Sequence, residues 1–513
     1  MNKNTLIKGT IILTIAGFLT RIIGFFYRIF LSNAMGAELL GIYQLVFPVY
    51  GICFTIFASG LQTSISRMVA AEAGRGNYKN TKRILRIGII ISFSVACLLT
   101  FLVYFNSGII ANKFLNEARC EGCLRILALV FPFCGITACI NGYYYGLRKT
   151  AIPASTQLLE QIVRVIFVYC IVIILGKGNL NVTCEIAAIG LVIGEVASNI
   201  YNILSLVITK SPKTLINKVK RATDFSLETK KVTKELVMLT LPLTGNRLCL
   251  SFLHSFEAVL IPFTLKRYGL SPKEAISIFG VLNGMVIPFL MFPTAITNAL
   301  AVLLLPTISE AQALGNEKQI SKTTSLAMKY SLIIGILSTG IFLIFGYHLG
   351  TDIYHNEMAG NYLCILSMLC PFLYLTTTLS SVINGLGKAH ITFINSIIGM
   401  SLRIVLIVVL VPRYGTMGYV ISLLVSQLLI TILDGRIIAK ETHFTLDGIN
   451  SLLKPFVTVF FSGILLLKLY EFLTKMCTIN PTLILLLCCG ILCVIFIGFM
   501  LLLKGISKKE LVR

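Results

Sequence analysis

Long apolar runs recur along almost the whole of this 513-residue chain, and they constrain its fold more than any other feature. Each run reaches about 20 residues, the length that an α-helix needs to cross a bilayer. Only 13% of the residues are charged, whereas a soluble protein carries roughly 25%. A transmembrane β-barrel would require short alternating segments, which the sequence lacks. The sequence therefore predicts an all-α polytopic membrane protein.

Fourteen membrane-spanning helices are predicted from these runs. The first run is too long for a cleaved signal peptide and contains two arginines, so it is interpreted as the first span. The predicted spans are 6–31, 41–66, 84–106, 122–146, 152–176, 185–209, 236–264, 275–305, 323–346, 359–384, 390–411, 416–438, 451–473 and 481–504.

The two halves of the chain share short motifs at a constant offset, which indicates the duplication of a six-helix unit. At an offset of 239 residues, Gly76–Lys79 matches Gly315–Lys318, Pro132-Phe133 matches Pro371-Phe372, and Gly146–Lys149 matches Gly385–Lys388. Helix kinks are expected at both matched prolines. Upstream, a weaker match at an offset of 226 relates Arg21 to Arg247 and Arg28 to His254.

Four regions follow from this repeat: an N-terminal six-helix bundle (1–209), a cytoplasmic linker (210–235), a C-terminal six-helix bundle (236–440), and helices 13 and 14 with a cytoplasmic tail (441–513). Both halves begin on the same side of the membrane, so the repeat is parallel. Transporters built in this way place the substrate between the halves and rock them to alternate access. Helices 13 and 14 have no counterpart in the repeat.

The net charge of +23 is explained largely by membrane topology. Of the 44 lysines and arginines, 27 fall on the side of the termini and 9 on the opposite side. Since cytoplasmic loops are enriched in basic residues, both termini are predicted to be cytoplasmic. No lysine-rich tail or aromatic-basic groove suggests nucleic acid. The lone pair Cys120 and Cys123 has no second pair to complete a zinc site, so coincidence is favoured over a disulfide or redox role.

Arginines within the spans are the main candidates for substrate binding. Arg164 lies in the middle of its span, where a charge facing hydrocarbon would cost roughly 3 kcal/mol or more, so it is expected to face protein or a wet cavity. At the offset of 239 it falls on Arg403. Guanidinium groups bind phosphate oxygens bidentately, so a cationic cavity predicts an anionic substrate. The proposed set is Arg21, Arg28, Arg164, Arg247 and Arg403.

One polar stripe lies around Arg164. Gln157, Glu160, Gln161 and Arg164 are spaced i, i+3, i+4 and i+7, so they share one helix face. Glu160 and Arg164 have the spacing of an ion pair, which would equally well be a purely structural tie. Glu160 falls on Gly399 in the repeat, so the positive charge is expected to be symmetric and the acid one-sided.

Further polar residues within the spans are weaker candidates. Glu160, Glu195 and Glu257, taken as the acids within spans, are candidates for proton or sodium coupling or for tuning the site. Gln44 and His254 are cavity candidates, for which packing is an equal or better explanation.

No enzyme is predicted, because the chain shows no paired carboxylates, Ser-His-Asp set or P-loop. No cofactor or metal is predicted either. His348, Asp352, His355 and Glu357 cluster in sequence, and a hydrated outer loop is favoured over a metal site.

Several motifs resemble those of the stage V sporulation protein B group, in the polysaccharide-transporter branch of the multidrug/oligosaccharidyl-lipid/polysaccharide (MOP) exporter superfamily. They are Lys8–Thr10, Thr20-Arg21, Ile65–Glu72, Gly142–Gly146, Pro153–Ser155, Gln157–Arg164 and Gly194–Ser198. Two departures are Tyr145, where the group has glutamine, and Arg67, where lysine is common.

This resemblance implies a protein of the bacterial plasma membrane tied to spore cortex peptidoglycan. The related lipid II flippase has a cationic cavity and two extra C-terminal helices. By that likeness, Arg21 and Arg28 would meet a pyrophosphate, and helices 13 and 14 would hold the polyprenyl chain.

The favoured hypothesis is a flippase for a polyprenyl-pyrophosphate-linked oligosaccharide, with lipid II as the substrate. Its partners would be the lipid bilayer, a coupling cation (H⁺ or Na⁺), and proteins of cell-wall synthesis. A cation-coupled drug antiporter of the same superfamily is an alternative, but it would require a net acidic cavity. A non-transporting membrane scaffold for cell-wall synthesis is the third hypothesis.

Overall fold

The chain is helical throughout the residues described by the computed structural model, which are 3–176, 182–208, 222–476, 480–503 and 505. Within these ranges there is no β-strand. Thirteen of the described helices are long and apolar enough to cross a membrane, or fourteen when the bent pair Cys120–Ala128 and Phe131–Gly146 counts as one span. The all-α membrane architecture is therefore confirmed.

The chain divides into two compact units, Met1–Val259 and Leu260–Arg513. The first unit contains α1 (Lys3–Phe54), α2 (Gly60–Gly74), α3 (Tyr78–Phe105), α4 (Cys120–Ala128), α5 (Phe131–Gly146), α6 (Ala151–Gly176), α7 (Cys184–Ile208) and most of α8 (Ala222–Tyr268). The second contains the end of α8, α9 (Pro272–Gly280), α10 (Thr294–Ala313), α11 (Glu317–Tyr354), α12 (Glu357–Leu366), α13 (Cys370–Gly385), α14 (Ala389–Tyr414), α15 (Thr416–Thr442), α16 (Lys454–Met476) and α17 (Pro481–Leu502).

A glycine separates the first two predicted spans. Helix α1 is interrupted at Gly36, whose φ of 74° and ψ of 173° are not helical. This backbone region is essentially restricted to glycine, because a side chain would clash with the neighbouring peptide groups. The second unit has a positive-φ glycine, Gly269, directly after α8. A π-helical segment then occurs in each unit, at Thr55–Ser59 and at Val281–Val286.

The local backbone of each unit supports the duplication that the motifs predict. Residues with positive φ recur at the offset of 239 in three pairs: Gly76 and Gly315, Asn116 and His355, and Arg148 and Gly387. The helices α3 and α11 also start in the same way. The side chains of Asn77 and Asn316 each accept a hydrogen bond from the backbone N–H of the residue three positions later. Equivalent turns and caps indicate a common local fold.

Both matched prolines lie in the first turn of a helix, and the predicted kink is confirmed at Pro132. Pro132 lies at the start of α5, after a break at which the axis turns by 44° from that of α4. Pro371 lies at the start of α13, after a 3₁₀ turn. Proline lacks an N–H and is tolerated best in the first turn of a helix, so each proline ends one helical segment and starts the next.

Two helices extend beyond the spans that hydropathy predicts. The predicted linker 210–235 is helical from Ala222 onward, while 209–221 lies outside the described residues. Helix α11 continues to Tyr354, so His348 and Asp352 lie on a helix rather than in a hydrated loop. There the hydroxyl of Tyr470 on α16 donates to Asp352 at 2.8 Å, which a hydropathy pattern cannot reveal. Among the described residues, no group of three or more His, Cys, Asp or Glu side chains could hold a metal.

The extra C-terminal pair, α16 and α17, packs against α11. Ile333, Val459, Phe496 and Met500 form one buried cluster between these three helices. Close approach depends on Gly340 of α11, because a Cβ atom there would overlap Val459. The pair is therefore fixed to the second unit by an interdigitated apolar seam.

Replacing Gly340 with leucine is expected to destabilise the second unit by about 1–3 kcal/mol, because the added carbons would push α16 away from α11. The midpoint of thermal unfolding in detergent would measure the effect. Gly498→Leu is the matched control, since no atom of the described residues lies within 4 Å of a Cβ built at Gly498. Equal melting midpoints for the two variants would contradict the proposed role of Gly340.

Candidate functional site

The predicted polar stripe forms one face of α6. Its central pair is an ion pair in which Arg164 Nη2 donates to the Glu160 carboxylate. The two side chains are only 12% and 17% exposed, so the pair is shielded from solvent. Gln157 is exposed and Gln161 is half-buried. The ion pair that the i, i+4 spacing predicts is therefore formed.

Two glycines of α7 cover this ion pair. A Cβ atom at Gly194 would lie 2.9 Å from the Glu160 carbonyl oxygen and 3.3 Å from Arg164 Cβ. One turn earlier, a Cβ atom at Gly190 would overlap Val168 and lie 3.6 Å from Arg164 Cγ. Spacing of two small residues by four lets helix backbones approach closely in a membrane. The α7 backbone thus packs closely against the aliphatic stem of Arg164 and the backbone of α6.

The ion pair leaves polar donors without acceptors. Arg164 Nε is buried and has no hydrogen-bond partner within the described chain, and the same is true of the Tyr27 hydroxyl. Tyr27 and Tyr43 lie within electrostatic range of Arg164. A buried unsatisfied donor costs about 1–3 kcal/mol, so these groups are unusual in a purely structural core.

Glu195 is the centre of a buried network of neutral donors. It is 9% exposed and accepts hydrogen bonds from the hydroxyls of Thr137 and Ser198, each at 3.2 Å. The Asn199 side chain donates to Thr137 at 2.9 Å and to the Phe133 carbonyl at 2.9 Å. This network ties α7 to α5 and holds a carboxyl group within electrostatic range of Arg164.

The second unit contains a buried acid that the sequence analysis did not count. Asp434 on α15 is 1% exposed, and it accepts hydrogen bonds from Asn395 Nδ2 at 2.7 Å and Ser380 Oγ at 3.3 Å. It lies 239 residues after Glu195. The prediction that Glu160, Glu195 and Glu257 are the acids within the spans is therefore incomplete. The repeat offset alone would have found Asp434.

Arg403 occupies the place of Arg164 in the second unit, but its surroundings differ. Its Nε donates to Ser426 Oγ at 2.7 Å, and the side chain is half-buried on α14. Gly399 stands where the first unit has Glu160, and a Cβ atom there would overlap Ile430. Both units thus have an arginine at this position of the repeat, whereas only the first unit has a carboxylate one turn before it.

Arg247 contacts the π-helical segment within the first unit. One guanidinium nitrogen donates to the carbonyl and hydroxyl of Ser59 at 2.5 and 2.6 Å, and the other donates to Thr63 at 3.1 Å. Nearby, Ser255 donates to the carbonyl oxygen of Pro48 at 2.9 Å. Carbonyls freed from helical bonding by prolines and π turns are available to such side chains. Arg247 therefore joins α8 to the second span.

The remaining predicted residues are placed individually. Arg21, Arg28 and His254 are exposed, Gln44 is half-buried, and Glu257 is buried at 7% exposure. Their membership of a common substrate site stays a prediction.

The thiols of Cys120 and Cys123 are free and buried, so these residues do not form a disulfide. They lie near the backbone carbonyls of Ile42 and Cys184 at 3.8 and 3.7 Å. Both thus pack as small side chains.

A double-mutant cycle on Glu160 and Arg164 tests the buried pair. Each single alanine variant is expected to lower the free energy of unfolding, because it leaves a shielded charge unpaired. The double variant should lower the free energy of unfolding by less than the sum of the two single effects. A coupling energy of about 1–3 kcal/mol from denaturation in detergent would support this. The control pair, Glu121 and Arg125, is 38% and 52% exposed and should couple by less than about 1 kcal/mol. Equal coupling in both cycles would contradict a shielded pair.

Comparisons with known proteins agree with this architecture. The sequence model of the family described as "Polysaccharide biosynthesis protein" matches residues 6–312. The chain is 28% identical to Stage V sporulation protein B of Bacillus subtilis (strain 168), over 86% of this chain and 85% of that protein. It is 23% identical to Lipid II flippase MurJ of the same organism, over 86% of each chain.

Two solved structures share the fold. Lipid II flippase MurJ in an inward closed conformation has a TM-score of 0.65 at 15% identity, covering 98% of this chain and 100% of that one. An inward-facing multidrug resistance MATE family transporter of the MOP superfamily has a TM-score of 0.63 at 14% identity, covering 83% and 96%. The chain belongs to the polysaccharide biosynthesis protein family.

Proposed function

We propose that this chain is an alternating-access flippase for undecaprenyl-pyrophosphate-linked sugars, and that it translocates lipid II for spore cortex peptidoglycan. The proposal is supported by its similarity to Stage V sporulation protein B and to Lipid II flippase MurJ. It places the chain in the bacterial plasma membrane with both termini in the cytoplasm, as the distribution of basic residues predicts.

The observation that carries the proposal is the incompletely bonded guanidinium of Arg164. Its Nη2 is held by Glu160, but its buried Nε–H has no acceptor within the described chain. The Tyr27 hydroxyl is likewise a buried donor without an acceptor. A pyrophosphate oxygen would accept such bonds when the site opens, and charge-assisted bonds of this kind are roughly twice as strong as neutral ones.

A second arginine at the repeat-equivalent position supports an anionic substrate. Arg403 has no acid at the position of Glu160, because that position is Gly399. Arg21, Arg28 and Arg247 add further cations on the first unit. A guanidinium in each unit would offer the pyrophosphate a charge-assisted partner and keep its charge out of hydrocarbon.

The extra helices provide an apolar surface for a polyprenyl tail. Outward-facing side chains of α16 and α17 are strongly exposed, including Phe461 at 68%, Leu465 at 65%, Leu487 at 63% and Val494 at 71%. A tail that stays in lipid along these helices would leave only the pyrophosphate and sugars to cross. The duplicated units would then translocate only the pyrophosphate and the sugars.

Glu195 and Asp434 are proposed as the coupling acids. Each is buried, bonded by neutral donors, and located at the same position of the repeat. A buried carboxylate bonded only by neutral groups gains much from taking up H⁺ or Na⁺. Glu160 would tune Arg164 instead, while Glu257 stays a further coupling candidate.

Translocation of fluorescent lipid II in proteoliposomes tests the substrate assignment. Arg164→Ala and Arg21→Ala are expected to slow translocation at least about tenfold, since each removes a charge-assisted phosphate contact. Arg75→Ala is the control, because the Arg75 side chain is 75% exposed and its ion pair is with Glu72 at the surface end of α2. No translocation by the wild-type chain, or equal rates in all variants, would contradict the proposal.

The same preparations distinguish the alternatives. Efflux of cationic dyes that depends on Glu195 or Glu257 would indicate a drug antiporter. Full complementation of cell-wall synthesis by Arg403→Glu would indicate a scaffold that does not transport.

Coupling is tested by imposing H⁺ or Na⁺ gradients across the same vesicles. Glu195→Gln and Asp434→Asn keep most of each side chain's shape but remove its charge, so translocation should lose its dependence on the gradient. Glu121→Gln, which alters a partly exposed carboxylate, should keep that dependence. If translocation still depends on the ion gradient in both Glu195→Gln and Asp434→Asn, the two acids are excluded as coupling sites.

A further inference from the structure

A cavity of about 730 Å³ lies within the first unit, where α2 and α5 end and α3 begins. Four cationic side chains line it: Lys82, Arg86, Arg148 and Lys149. Apolar residues, among them Leu85, Ile89 and Leu206, line the remainder. These chain ends are on the side that the distribution of basic residues predicts to be cytoplasmic.

The four cations have no ion-pair partner in the part of the chain that the structure describes. All four are exposed. Glu72, on the adjoining turn, is already engaged by Arg75 at 2.8 Å and by the side-chain amides of Asn77 and Asn80 at 3.0 and 2.9 Å. The cavity thus concentrates positive charge that the protein itself does not neutralise.

Backbone strain points to a role for one of these cations. Arg148 has a φ of 60°, in the left-handed region that disfavours residues with a side chain. Its counterpart in the second unit is Gly387, with a φ of 77°. Glycine adopts this conformation without strain, so an arginine here is retained against a local steric cost. The guanidinium beside the cavity offers a reason for that cost.

The equivalent cavity of the second unit, about 1030 Å³ in volume, serves as an internal comparison. Ser321 and Ser325, which line this cavity, stand at the positions of Lys82 and Arg86. The positions of Arg148 and Lys149 are Gly387 and Lys388, which are not among its lining residues.

The charges of this second cavity are also balanced differently. Lys388 is neutralised by Glu441 at 2.6 Å, whereas the position equivalent to Glu441 in the first unit is Asn202. The lysines that line the second cavity, Lys318 and Lys322, are accompanied by the lining acids Glu317 and Glu441. The uncompensated cationic set is thus specific to the first unit.

The first cavity is bordered by surface suited to lipid. Ile90, which lines it, is 59% exposed, and Phe93 on the next turn of α3 is 44% exposed. On α7, Leu204 and Val207 beside Leu206 are 52% and 75% exposed. Apolar side chains of spanning helices at this exposure face hydrocarbon, whereas a site for a soluble anion would be surrounded by water.

We propose that this cavity binds an anionic glycerophospholipid of the cytoplasmic leaflet. Its headgroup phosphate contacts Lys82, Arg86, Arg148 and Lys149, and one acyl chain lies along Ile89, Ile90 and Leu206. The site is separate from Arg164 and does not depend on the proposed flippase activity. It would fix the position of the first unit at the membrane surface.

The chain contains no tryptophan, so one introduced tryptophan reports its local lipid. The full chain carrying Leu206→Trp would be reconstituted in phosphatidylcholine vesicles with a fixed fraction of brominated phosphatidylglycerol or brominated phosphatidylcholine. Because each basic residue near the surface strengthens binding of anionic lipid, quenching should show a roughly tenfold preference for phosphatidylglycerol. Ile90→Trp, at an exposed position, replaces Leu206→Trp if the latter fails to fold.

Two controls make the result specific. Adding Lys82→Gln, Arg86→Gln, Arg148→Gly and Lys149→Gln should abolish the preference, and glycine at position 148 relieves backbone strain. Thr445→Trp reports on the second cavity at the equivalent of Leu206 and should show little preference. Equal preference at both cavities, or preference that survives in the neutralised variant, would overturn the proposal.

A titration with a soluble anion tests whether the cavity binds a lipid or a free anion. Inorganic phosphate would be titrated at constant ionic strength against chloride while the tryptophan emission is recorded. Phosphate should leave the quenching by brominated phosphatidylglycerol unchanged. If phosphate reduced that quenching in a saturable way, and the two brominated lipids quenched equally, the cavity would be a soluble-anion site. That result would overturn the proposal.

Discussion

The ion pair between Arg164 and Glu160 is the interaction on which the first unit depends. A lone guanidinium at the middle of a span would cost several kcal/mol, and a carboxylate one turn away reduces that cost. The pair is tolerated because Gly190 and Gly194 let the α7 backbone lie directly over it. The same approach brings Glu195 and its hydroxyl donors into the core. Charge, close packing and the polar network are therefore one assembly, not independent features.

The two units share local backbone features, but they differ in charge. Positive-φ turns, asparagine caps and prolines in the first turn of a helix recur at the offset of 239 residues. Glu195 and Asp434 preserve a buried acid in both units. Two other acids are not repeated: the position of Glu160 is Gly399 in the second unit, and the position of Glu441 is Asn202 in the first. A side chain can be exchanged at a fixed backbone position at little cost to the fold, so charge is where the halves diverge.

The spans were predictable because a helix is the only open-ended structure that satisfies its backbone in hydrocarbon. The kinks were predictable because proline removes a backbone donor whatever its surroundings. The early start of α8 at Ala222 and the extension of α11 to Tyr354 were not, since polar residues hide a helix from hydropathy. Asp434 was within reach of sequence reasoning, because the offset that relates Arg164 to Arg403 also relates Glu195 to it.

The sequence by itself determined the membrane class, the duplication, the positions of the arginines and the i, i+4 spacing of Glu160 and Arg164. These properties depend on hydropathy and on distance along one helix, both of which are local. Only the tertiary structure decided that α7 packs against Glu160 and Arg164, that Arg164 Nε and the Tyr27 hydroxyl lack acceptors among the described residues, and that Arg247 contacts Ser59. Each of these depends on which helices meet and at what distance. That is set by the packing of side chains far apart in sequence, so no local pattern encodes it.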